Sequence, residues 1–102
     1  MPSSYDAGVL RDIERERLAQ DAKWGFPQDN PYPTWVTILS EEVGEFSQEV
    51  LRHHFGTDKT KHIEHMYEEV IQVAAVAAAI AEQIRRTYSE VDTPNLPPLV
   101  SP

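Results

Sequence analysis

Residues 70–81, from Val70 to Ala81, read VIQVAAVAAAIA, and this run decides the fold. Gln72 is its only polar member, so a helix built from it is apolar nearly all round and must be covered on more than one side. The run falls short of the ~20 apolar residues that span a bilayer, so a protein core is its expected place. Extended both ways, the helical pattern runs from about Thr60 to Tyr88, with Ile63, Met66, Val70, Val73 and Ala77 along one stripe. At ~1.5 Å per residue such a helix measures on the order of 40 Å, long for one small domain. Two further helices can hardly cover it, and its alanines allow close approach. A second copy of the chain, related by a two-fold axis, is the economical cover.

Working upstream, a first helix is expected from about Asp6 to Trp24, with Val9, Leu10, Ile13, Arg17, Gln20 and Trp24 at helical spacing and Gly25 as its stop. Phe26 to Thr34 holds Pro27, Pro31 and Pro33 and reads as a stiff loop. A second helix follows from Thr34 or Trp35 to about His54, its apolar positions being Trp35, Val36, Leu39, Val43, Phe46 and Val50. Gly56 closes it, and Thr57, Asp58 or Thr60 can cap the next. Downstream, VDTPNLPPLVSP from Val91 is a proline-rich tail that cannot sustain a helix. No stretch alternates as a strand. The expected fold is all-α: three main helices per chain, completed by dimerisation into a four-helix-type core, with residues 1–90 as one domain and 91–102 as a tail.

The 102 residues leave room for one domain. With 17 acidic against 9 basic residues the formal charge is -8, which repels phosphate backbones and disfavours nucleic-acid binding. The absence of cysteine excludes disulfides, thiolate zinc sites and a cysteine nucleophile. MPSSYDAG at the N-terminus lacks the basic-then-apolar pattern of a signal peptide. A soluble cytoplasmic protein with no membrane partner is expected.

The second helix carries EEVGE, Glu41 to Glu45, with Glu49 one turn on. Glu41, Glu45 and Glu49 form a row of like charges, each pair opposing the helix by about 0.2–0.5 kcal/mol. Glu42 lies at the edge of the apolar stripe, where desolvating a lone carboxylate is costly. Arg52 is the one arginine on this helix, so neutralisation from within is poor. On the third helix, Glu69 and Gln72 sit on the flank of the apolar stripe. Packed side by side, the two helices would bring Glu42, Glu45 and Glu69 to one pocket. Hard oxygen donors gathered in this way suit magnesium or manganese; otherwise EEVGE is a solvated acidic face.

Ile13, Arg17, Gln20 and Trp24 share a face of the first helix that turns from apolar to polar and aromatic along its length. Gln20 can meet a base edge and Trp24 offers a stacking surface. Arg17 and Lys23 could meet phosphates. In the plainer alternative, Trp24 anchors the helix end and Gln20 is exposed.

QDAKWG at Gln20–Gly25, EEVGE at Glu41–Glu45 and EEVIQVAAVA at Glu68–Ala77, in this order and spacing, resemble the MazG-like branch of the all-α nucleoside triphosphate pyrophosphatases over about Ile13 to Ile84. That family carries Glu-Glu-x-x-Glu on one helix and Glu-x-x-Asp on the next. Glu41, Glu42, Glu45 and Glu69 match, and Gln72 stands where the aspartate is expected. The resemblance implies Mg2+-dependent hydrolysis of a nucleoside triphosphate to monophosphate and pyrophosphate by a homodimer or homotetramer, with Mn2+ as a possible substitute. It implies Glu42, Glu45 and Glu69 as metal ligands and Glu41 as either a ligand or the group that orients and deprotonates the water. Gln72 can still offer a neutral oxygen; loss of the acid there weakens metal binding or removes one metal. Gln20, Lys23, Trp24 and Arg17 are the candidate substrate contacts.

Two other readings stand beside it. His62, His65 and Glu69 form a row on one flank of the third helix that could bind zinc or iron, the latter as a redox di-metal site, although the second helix lacks a Glu-x-x-His partner. His53 and His54 are explained by a helix C-terminus, which favours positive charge. A non-catalytic helical dimer, a regulatory module that has lost full metal binding at Gln72, is the alternative from a different class.

Overall fold

Asp6 opens the first helix. Its carboxylate accepts hydrogen bonds from the backbone N–H groups of Gly8 (2.7 Å) and Val9 (3.3 Å), two of the donors that a helix start leaves without partners. The computed structural model describes residues 6–57 and 59–88. Helix α1 runs Ala7–Trp24 and stops at Gly25, whose N–H reaches Asp21 O (2.8 Å). A φ of 95° there is a conformation that side-chain-bearing residues rarely adopt. Helix α2 is Tyr32–Phe55 and α3 is Lys59–Thr87. The described residues are all-helical, with no strand. No helix among them is long and apolar enough to cross a membrane. The expected cap at Asp58 and the tail at 91–102 lie outside the described residues.

Helix α2 starts two residues before the expected Thr34. Pro33 falls in its first turn, where the missing N–H has no acceptor to lose, so proline opens this helix rather than delaying it.

Helix α3 lies between the other two. Both α1 and α2 pack against it, and α1 and α2 do not pair with each other. The α2–α3 seam is built on Trp35, Val76 and Ala79, flanked by Ile38, Leu39 and Ile80; Ile71 and Ala75 are buried as well. Alanine at the closest points lets the backbones come together, and the core is correspondingly thin.

Polar side chains complete the packing. Arg17 joins α1 to α3 through a two-pronged contact with Glu82, Nη2 to Oε1 at 2.6 Å and Nε to Oε2 at 3.0 Å. Tyr67 donates to Asp12 between the same helices. The buried Gln83 amide holds the α1–α2 loop: its Oε1 accepts from Trp35 Nε1 (2.6 Å) and Asn30 N (2.8 Å), and its Nε2 donates to Asn30 O (2.8 Å). Arg86 pairs with Asp29 (2.9 Å), and Gln28 donates to Asp21 (2.8 Å), which ties the middle of the loop to α3 and to α1.

Gln83→Leu keeps the apolar volume but strips Trp35 Nε1 and Asn30 N of their acceptor. The expected loss is about 2 kcal/mol of unfolding free energy, read by urea denaturation, because two buried donors are left unsatisfied.

Candidate metal centre and its cleft

Glu42 and Glu45 stand three residues apart on α2, and Glu69 comes to them from α3. One oxygen from each lies within 4.8 Å of the other two. Glu42 and Glu69 are half-buried and Glu45 is exposed. The Oε2 atoms of both Glu42 and Glu69 are buried without a hydrogen-bond partner. Burial pushes the Glu42 carboxyl above its ordinary range, and the charges of Glu45, Glu16 and Glu41 push it further. The Glu69 carboxyl is raised by burial first and then by Glu45, Glu42 and Glu49. Three arginines are engaged with other acids: Arg17 with Glu82 and Asp21, Arg52 with Glu49, Arg86 with Asp29. Three converging carboxylates with two orphaned oxygens form a donor set for a hard divalent cation.

Beside this group opens a cleft of about 560 Å³. Gln20 and Trp24 of α1 form one wall, and Trp35, Ile38, Glu41 and Glu42 of α2 the other. The loop residues Gln28 and Asn30 close one end, and Val76 of α3 also lines it. The volume falls within the range of small-molecule sites, roughly 300–1,000 Å³.

The residues singled out from the sequence divide between several places. Glu42, Glu45 and Glu69 come together. Glu41 is exposed and lines the cleft without joining the three. Gln20 is buried, not exposed, and accepts a 3.4 Å hydrogen bond from Arg17. Trp24 does not anchor the helix end in the core: it is 62% exposed at the cleft, with Lys23 Nζ 4.7 Å from its ring centre. Arg17 is directed to Glu82 and Asp21, so its charge is already neutralised and it acts as a strut. Gln72 lines a different cavity, between α1 and α3, with Asp12, Arg15, Glu16 and Tyr67.

Sequence spacing misses two groups here. Glu16 of α1 adds negative charge near Glu42. Glu49 is only 8% exposed and faces His62 and His65 across the α2–α3 seam. The His-x-x-His spacing is a usable signal, but local sequence points to Glu69 on the same helix, whereas the structure supplies Glu49 from the other. Burial raises the Glu49 carboxyl, and hydrogen bonds from Arg52 and His62 outweigh it, leaving the group below the ordinary carboxylate range.

Comparison with protein-family models, with curated proteins and with solved structures gives no match for this chain.

In metal-free protein, Glu42 and Glu69 have raised folded-state pKa values, so the folded state holds protons that the unfolded state has released. Stability from these groups is present below the unfolded carboxylate pKa and is lost as pH rises through the folded values. Glu69→Gln mimics the protonated acid. Its melting temperature should therefore match the parent chain at about pH 4 and exceed it by a growing margin toward pH 7, by differential scanning fluorimetry in chelator.

Proposed function

We propose that the chain is a Mg2+-dependent nucleoside triphosphate pyrophosphohydrolase of the MazG-like all-α kind, acting as a homodimer or homotetramer to remove surplus triphosphates. The observation that carries this reading is the pair of buried, partnerless oxygens on Glu42 and Glu69, gathered with Glu45 beside a nucleotide-sized cleft. Among the described residues, other buried side chains such as Gln83 and Arg17 have hydrogen-bond partners, and these two oxygens do not. The order of QDAKWG, EEVGE and EEVIQVAAVA supports the same family.

Glu42, Glu45 and Glu69 would hold Mg2+, or Mn2+ in its place. The ion supplies positive charge for phosphate oxygens that this acidic surface otherwise repels. Glu41, exposed on the cleft wall, is placed to orient a water and accept its proton. Trp24 presents an aromatic face to a base, and Lys23 beside it suits a phosphate. Gln20 contributes an amide edge to the same wall. Gln72, which lines the cavity between α1 and α3, is not gathered with these three carboxylates.

Exposed apolar surface supports the assembly. Val36 and Val43 on α2 and Ile63, Val70 and Ala77 on α3 are open to solvent, alongside half-buried Leu39, Phe46, Val50, Met66 and Val73. By helical spacing they form one continuous band along the α2–α3 pair, on the side away from α1. Two such bands facing each other make a four-helix core.

The non-catalytic helical dimer remains the second reading, favoured by the position of Gln72. A nucleotide panel with product identification separates the two: pyrophosphate release under Mg2+ supports the enzyme, and divalent binding without turnover supports the module. In the enzyme, Glu42→Gln lowers turnover at least ~100-fold, at or beyond the upper end of what outer partners of a metal site cost, while the exposed Glu14→Gln retains it. At a hundredfold excess over Kd, Mg2+ adds about 2.7 kcal/mol to the parent chain, a rise of several degrees in Tm that Glu42→Gln abolishes.

Val70→Glu places a charge in the middle of the apolar band. It should shift the sedimentation coefficient from that of a dimer or tetramer to that of a monomer, with helical circular dichroism retained.

A further inference from the structure

We infer that Glu49, His62 and His65 form a second metal site, one for a zinc-class transition ion, at the end of the α2–α3 seam beyond the three carboxylates. This goes beyond the proposed activity and does not depend on it.

Three ligand atoms from these residues lie within 4.8 Å of one another. Both imidazoles present Nδ1 to the same oxygen, Glu49 Oε2, at 3.3 Å for His62 and 3.9 Å for His65. The His62 contact is long for a hydrogen bond and the His65 contact is too long to be one, since N–H···O contacts centre near 2.9–3.0 Å. As edges of a coordination shell they fit: two ligands each ~2.0–2.1 Å from a tetrahedral Zn2+ lie about 3.3–3.4 Å apart. The His62 contact already has that length, and a small side-chain movement closes the other.

Arg52 holds the second oxygen, Oε1, at 2.8 Å. The carboxylate is thereby oriented with Oε2 facing the histidines, as an outer partner orients a metal ligand. The arginine charge works against a cation, and the neighbourhood offsets it. Glu45 precedes Glu49 by one turn on α2 and Glu69 follows His65 by one turn on α3, so two carboxylates lie along the seam on the other side. The ion has room for a fourth ligand because His65 keeps 44% of its side-chain surface in solvent while Glu49 is walled in. Two imidazoles and one carboxylate select zinc or its first-row neighbours over magnesium, which prefers oxygen alone. The site is therefore chemically separate from the oxygen cluster.

The test uses the full chain, stripped with chelator, and titrates Zn2+ alone and Co2+ as its visible reporter in the presence of excess Mg2+. The expected result is one Zn2+ per chain that Mg2+ does not displace, with the Co2+ bands of a low-coordinate site. The imidazole nitrogen resonances of His62 and His65 shift together on Zn2+ addition. His65→Gln, at a half-exposed position that leaves the fold intact, weakens Zn2+ at least tenfold, whereas Glu42→Gln changes it less than threefold. Unmoved histidine resonances would overturn the inference and leave an ordinary hydrogen-bonded cluster. So would Zn2+ affinity that survives His65→Gln and falls with Glu42→Gln, which assigns the ion to the carboxylates. The resonances are read on the unaltered chain, so a poorly folding variant does not blunt the result.

Discussion

The close antiparallel seating of α2 on α3 governs everything else in this molecule. Trp35 meets Val76, Ala79 and Gln83 at one end of the seam. Glu42 meets Glu69 in the middle, and Glu49 meets His62 and His65 at the other end. These pairs keep one register, in which each step forward on α2 is a step back on α3. Alanine at position 79, packed against Trp35, permits the approach, since a larger side chain there would hold the backbones further apart. Trp35 then fixes the register twice, by filling the seam with its ring and by giving its only polar hydrogen to Gln83. A shift of one turn along α3 would move Glu69 away from Glu42 and Glu45 and break that hydrogen bond at the same time.

Polar burial is distributed unevenly along this seam. At the Trp35 end, a single amide satisfies a side-chain donor and both backbone groups of Asn30. On the α1 side, Arg17 lies between Glu82 and Asp21 with its charge balanced, which holds its guanidinium firmly protonated. In the middle, two carboxylate oxygens have no partner, and neighbouring negative charges raise the cost of ionising them. Stability alone does not favour that arrangement, because replacing either acid with an amide removes the repulsion. The cost is local and faces the cleft, as expected where a polar group awaits a ligand from outside.

Helix identity and number were legible in the spacing of apolar residues, and boundaries were read to within two or three positions. Proline in the first turn of α2 shows why such errors gather at helix starts: a breaker in the interior is a starter at the end. The meeting of Glu42, Glu45 and Glu69 was legible because the flank of a stripe is a matter of angle along one helix, and flanks of packed helices face each other. Angle alone does not say which neighbour a flank meets. Gln72, three residues beyond Glu69, is rotated far enough to face α1 instead of α2. Glu82, the partner of Arg17, lies 65 residues away, and nothing in the local sequence marks it. Trp24 could be a stacking surface or a core anchor by residue type, and its exposure at the cleft favours the first.

The same register explains why the seam offers different donors at different heights. Moving toward the start of α3, the pairs change from amide and indole, through three carboxylates, to one carboxylate facing two imidazoles. Each level is separated from the next by about one or two helical turns, so neighbours influence one another through charge without sharing ligand atoms: Glu49 contributes to raising Glu69, yet belongs to the histidine group. Oxygen-only donors favour a hard ion, whereas imidazoles shift the preference to a borderline one. On the assignments proposed above, two cations of different kinds would be held on one seam, and their charges would relieve the repulsion between the two levels. An ion at either level would lower the electrostatic cost of ionising the carboxylates at the other, because Glu45 and Glu49 both raise Glu69.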